Sequence, residues 1–113
     1  MARSPLHPGK VLLNEFMKPH GLTAYTLAAR CRMDRVRLER IVRGKARVNA
    51  DTALRLAKFF GTKPEFWMNL QARYGLETAA SEIRKELAAI KSRAPAAAMS
   101  GRRGQPLSLR RID

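Results

Sequence analysis

Residues 30–45 read RCRMDRVRLERIVRGK and hold seven basic side chains against two acidic ones. An arginine presents its N–H donors as a rigid planar fork that fits two phosphate oxygens, or the O6/N7 edge of a guanine. The chemistry of this stretch is recognition, not bond-making. The other reactive side chains assemble no catalyst. His7 and His20 are the only histidines, and they lie far apart in sequence with no cysteine near either. No Ser/His/Asp or Cys/His constellation can be built from them. Cys31 is the single cysteine, which excludes an intrachain disulfide and any multi-cysteine zinc site. Its expected place is a small core residue on a helix. An enzyme, a metal site and a bound cofactor are all disfavoured.

An arginine-rich stretch serves recognition only if a helix sorts its residues by face. Asp34 can cap a helix in which Leu38, Ile41 and Val42 point inward, with Gly44 at its end. Arg35, Val36, Glu39, Arg40 and Arg43 then face outward, with Arg37 on the flank. Just before it, Thr23 can cap a short helix whose inward residues are Leu27, Ala28 and Cys31. Two short helices joined by a tight turn, with Ala28 at a close crossing, have the layout of a helix-turn-helix, whose second helix enters the major groove. Arg35, Val36 and Arg40 are the base-edge candidates, with Glu39 a weaker one: arginine pairs with guanine, a small apolar group meets a thymine methyl, and glutamate accepts from cytosine. Thr23, Arg37, Arg43, Lys45 and Arg47 are phosphate candidates, which fix register without reading sequence. The plainer alternative is a solvated face with an Arg35–Glu39 ion pair four residues apart.

The rest of the chain fits such a module. Its 113 residues carry a formal net charge of +14 with 45% hydrophobic residues, enough for one small core and strongly drawn to polyanions. Apolar spacing is helical nearly throughout. A first helix opens at Pro8–Gly9 with Leu12, Leu13, Phe16 and Met17 on one face. A fourth starts at Asn49 and presents Ala53, Leu54, Ala57 and Phe60. A fifth follows a Thr62/Glu65 capping box with Phe66, Trp67, Leu70 and Tyr74, and a sixth runs from about Glu77 to Arg93. The expectation is an all-α domain of five or six helices over residues 7–93. Residues 1–6 are expected to be a flexible N-terminus and 94–113 a basic, disordered tail containing Arg102, Arg103, Arg110 and Arg111. No apolar run is long enough to span a membrane, and MARSPLHPGK lacks the apolar run of a signal peptide, so a cytoplasmic location is expected.

The string from HPGKVLL through IVRGK, ADTALRLAKFFGT and PEFWMNLQ resembles the HigA-type antitoxins. These are XRE-like helix-turn-helix proteins, also called virulence-associated protein I or plasmid-maintenance antidotes. The resemblance covers residues 7–93. It implies a lambda-repressor-like fold and a homodimer that binds double-stranded operator DNA and represses its own operon. It further implies neutralisation of a HigB-like toxin, a RelE-like ribonuclease that cleaves mRNA. A free-standing XRE-family regulator without a toxin is the alternative, and a module that only sequesters a partner is a third reading. The aromatic and aliphatic residues Trp67, Tyr74, Ile83, Leu87 and Ile90 exceed what one domain of this size can bury, and they are expected to form the dimer seam. Two positions depart from the family. Ala24 stands where glutamine often begins the second helix, and Arg32 where the turn usually has glycine. If that turn needs positive φ, an arginine costs about 1 kcal/mol there, and a relaxed turn is expected instead.

Overall fold

A computed structural model of the chain describes residues 4–93, which contain six helices and no strand. They divide into two units, 4–82 and 83–93. The tail expected over 94–113 and the first three residues lie outside the described residues.

Helix α1 (Pro8–Val11) begins with proline at its first position, where the missing N–H costs nothing. It continues without a break into a π-helical segment (Leu12–Met17), closed by Lys18 N–H donating to the Leu13 carbonyl at 2.9 Å. The wider turn brings two residues five apart, Leu12 and Met17, into the core together. Helices α2 (Ala24–Cys31) and α3 (Arg35–Val42) follow, capped by Thr23 and Asp34 as their sequences require. Helix α4 (Ala50–Phe60) is capped by Asn49, whose side chain accepts from the Thr52 N–H at 2.9 Å.

Four helix ends are built the same way. The N–H of Leu22, Met33, Lys45 and Thr62 reaches back five residues, to the carbonyls of Met17, Ala28, Arg40 and Ala57. The residue before each is left-handed: Gly21, Arg32, Gly44 and Gly61.

Leu12, Leu27, Leu38, Ile41, Leu56 and Trp67 are fully buried and form the centre of the core. Phe16 packs its ring 5.0 Å from Phe60 and 4.9 Å from Trp67. On α4 the buried set is Thr52, Ala53, Leu56 and Ala57, while Leu54 faces solvent. Leu54 was expected inward; the stripe instead runs through 53, 56, 57 and 60, and 54 falls a quarter-turn off it.

Helix α5 (Pro64–Glu82) extends past Gly75 to Glu82, and only a short α6 (Arg84–Ala89) follows. The sixth helix expected from Glu77 therefore does not start there. One glycine inside a helix costs about 1 kcal/mol, too little to end it against the helix-forming residues on either side. Thr62 does not act through a capping box with Glu65; its hydroxyl accepts the Trp67 indole N–H at 2.9 Å. No helix among the described residues is long and apolar enough to cross a membrane.

Candidate nucleic-acid interface

Helix α3 is held from below by Leu38 and Ile41, both fully buried, which turns the arginines outward. Its start is fixed by the Asp34 carboxylate, which accepts from the Arg37 N–H at 2.8 Å. At that end Val36 is 56% exposed, and the Arg35 guanidinium has Glu39 Oε2 at 4.0 Å and the Tyr25 ring centroid at 5.9 Å. An ion pair that long and that exposed adds little to stability. Arg35 and Val36 thus stand open at the leading end, with Glu39 half-buried one turn behind.

The later arginines are engaged differently. Arg40 donates from Nη2 to the Lys45 carbonyl at 3.1 Å, and Arg37 from Nη2 to the Arg47 carbonyl at 3.0 Å. Both side chains fold onto the loop after α3, and do not project straight from the helix. Arg43, Lys45 and Arg47 are exposed on that same loop. Thr23 is exposed, with its hydroxyl accepting from the Thr26 N–H at 3.1 Å as the α2 cap.

The turn between α2 and α3 did not relax. Arg32 sits at φ 56°, ψ 49°, the left-handed conformation that glycine adopts without strain. What holds it there comes from α4. Arg55 donates from Nη1 to the carbonyls of Cys31 at 3.0 Å and Arg32 at 2.7 Å, and its Nε is anchored on Asp51 at 2.6 Å. The pairing draws the Asp51 carboxyl below its ordinary range. Cys31 is buried beside this clamp, and burial pushes its thiol pKa up. Ala24 is half-buried against the core, and its methyl offers no hydrogen bond.

The loop carrying Lys45 and Arg47 is fastened from both sides by residues that helical spacing did not single out. Gln71, buried on α5, accepts the Val48 N–H at 2.7 Å through Oε1. His7, at the start of α1, accepts the Gly9 N–H at 2.8 Å through Nδ1 and places its ring edge-on to Tyr74, 4.8 Å between centroids. Burial lowers the His7 pKa below 6.5, and a hydrogen bond to the Ala46 backbone offsets part of that shift. Gly9 lies against the end of α3: a Cβ there would come within 1.8 Å of the Ile41 carbonyl oxygen. The HPG and PEFWMNLQ strings were visible in the sequence as motif, and these contacts are their physical content.

Of the residues expected at a dimer seam, Trp67 is removed: it is fully buried within the single chain and hydrogen-bonded to Thr62. Its ring packs against Phe16 of the π-helical segment and Phe60 of α4, room that the sequence does not show. Tyr74 is half-buried against His7. In the second unit, Ile83, Leu87 and Ile90 remain exposed. Among the described residues no group of three or more histidines, cysteines or carboxylates could hold a metal.

A helix-turn-helix family model matches residues 13–67. Virulence-associated protein I of Dichelobacter nodosus is 42% identical over 74 residues, covering 66% of this chain and 68% of that protein. Among solved structures, the Pseudomonas aeruginosa antitoxin HigA with its higBA promoter aligns at 34% identity and a TM-score of 0.77, over 80% of this chain and 99% of that one. The antitoxin GraA in complex with its operator aligns at 36% identity and a TM-score of 0.77, over 85% of this chain and 97% of that one. A chain so similar in sequence and in its helix arrangement is a member of the HigA-type, XRE-like family of helix-turn-helix antitoxins, which are regulators and not enzymes.

Proposed function

We propose that this chain binds operator DNA as a homodimer in the cytoplasm, represses its own operon and neutralises a RelE-like, mRNA-cleaving toxin of the HigB type. The observation that carries the DNA-binding part is α3 itself. Leu38 and Ile41 pin one face to the core, and Arg35 and Val36 stand exposed at the helix front. Arg35, Val36, Glu39 and Arg40 form the base-reading set. Thr23, Arg37, Arg43, Lys45 and Arg47 bind phosphate. Arg40 reaches a base edge only by releasing the Lys45 carbonyl. Two such helices about 34 Å apart, related by a twofold axis, match successive major grooves and an inverted repeat.

Separate Arg35→Ala and Arg40→Ala replacements test this against the DNA upstream of the chain's own gene. Each should lose about 1–3 kcal/mol of binding, concentrated on that sequence. Equal losses on unrelated DNA would reduce the residue to a phosphate contact, and unchanged binding in both would remove α3 from the recognition role. The apolar face of Ile83, Leu87 and Ile90 supplies the dimer contact, so Leu87→Asp should convert dimer to monomer in a sedimentation measurement. A wild-type chain that is already monomeric overturns the dimer. For the toxin, co-expression of this chain with a growth-arresting HigB-type ribonuclease should restore growth. Equal arrest with and without this chain leaves a free-standing repressor.

A further inference from the structure

Tyr25 lies on the first turn of α2, two residues after the Thr23 cap, and is 68% exposed. Leu27, Ala28 and Cys31 supply the buried face of that helix, so the core makes no use of this ring. Instead the ring centroid stands 5.9 Å from the guanidinium carbon of Arg35, the first residue of α3. Arg35 therefore has two partners: an aromatic face on the neighbouring helix, and the Glu39 carboxylate one turn along its own, at 4.0 Å.

These partners differ in what they leave free. A carboxylate engages the guanidinium through its N–H groups, the same donors that a guanine edge requires. An aromatic ring engages the π-face of the cation and leaves the in-plane donors available. An Arg35 held by Tyr25 is ready to read a base, whereas one paired with Glu39 must first give up that contact. We infer that Tyr25 is a specificity-determining residue of the DNA interface, its ring positioning Arg35 with the donor edge free for a purine. This rests on the assignment of α3 as the recognition helix. The ring is the operative part, and the phenol hydroxyl is dispensable.

The test compares Tyr25→Phe and Tyr25→Leu, each alone and combined with Arg35→Ala. Binding is measured at one salt concentration to the duplex upstream of the chain's gene and to a scrambled duplex of equal composition. Because Tyr25 is exposed, both variants should melt like wild type. Tyr25→Leu should lower the ratio of the two affinities by about two- to fivefold, the scale of an exposed cation–π contact. Tyr25→Phe should preserve the ratio, and Tyr25→Leu should have no further effect in the Arg35→Ala background. In the free protein, the Arg35 side-chain protons should show a ring-current shift in wild type and Tyr25→Phe that Tyr25→Leu abolishes. An unchanged ratio in Tyr25→Leu, or an equal drop without Arg35, overturns the inference while leaving α3 as the recognition helix. A wild-type chain that does not distinguish the two duplexes overturns both.

Discussion

The two turns that bracket the recognition helix share one hydrogen-bond pattern and solve it with opposite residues. Before α3, Arg32 takes the left-handed position; after it, Gly44 does, at φ 77°. Gly44 has room for a side chain, since a Cβ would meet nothing nearer than the His7 ring at 3.7 Å, so its requirement is purely conformational. Arg32 has the same requirement and none of glycine's freedom. The difference is made up by neighbours: Arg55 braces the first turn through two carbonyls. A turn can therefore be specified by the residue in it or by a side chain well along the chain, and only the first kind is readable locally.

The comparison can be broken most severely at the second turn, through the element packed against it. Gly9→Ala drives a methyl into the Ile41 carbonyl and should cost about 1–3 kcal/mol or more, seen as a lowered denaturant midpoint. A midpoint within error of wild type would mean that α1 backs away freely and does not support α3. Smaller and opposite in sign are the two exchanges at the turns. Arg32→Gly should stabilise by about 1 kcal/mol and Gly44→Ala destabilise by about the same amount. If both destabilise, the Arg32 side chain contributes something its backbone strain does not reveal. Arg55→Ala should lower the melting temperature in wild type and lower it less in Arg32→Gly, because glycine needs no brace. Equal losses in the two backgrounds would separate the clamp from the strain.

The smallest expected effect concerns acidity. The folded chain holds His7 below its ordinary pKa of 6.5, so the unfolded chain binds more proton as pH falls past that value. Stability is then full above pH 6.5 and declines below it, toward the folded pKa. His7→Gln should flatten that decline in a pH series of melts; an unaltered slope would assign it to other groups.

The helix-turn-helix itself was legible in the sequence, because Leu27, Leu38 and Ile41 recur at helical spacing and Thr23, Asp34 and Asn49 cap by local rules. What was not legible depended on partners far along the chain or on degree. Val48 N–H meets Gln71, twenty-three residues away, and no periodicity announces a buried amide. Leu54 and Leu56 are equally apolar, and which one turns inward depends on the exact phase of α4. Gly75 looks like a boundary and is not one, since the helix-forming residues around it outweigh its cost. A sequence does not show how much room the core has, so Trp67 reads there as surplus surface. Among the site residues, spacing distinguished inward from outward, but not that Arg37 and Arg40 would turn back onto the loop.

That loop carries a consequence in entropy. Between Arg43 and Asn49 the backbone has no regular structure, yet it is fastened at Val48 by Gln71 and at Ala46 by His7. Fixing one residue's backbone costs about 1–2 kcal/mol, and a loop ordered only on contact bears that cost at the moment of binding. Here the folding of α1 and α5 has already borne it. Lys45 and Arg47 therefore sit on a backbone already held by folding.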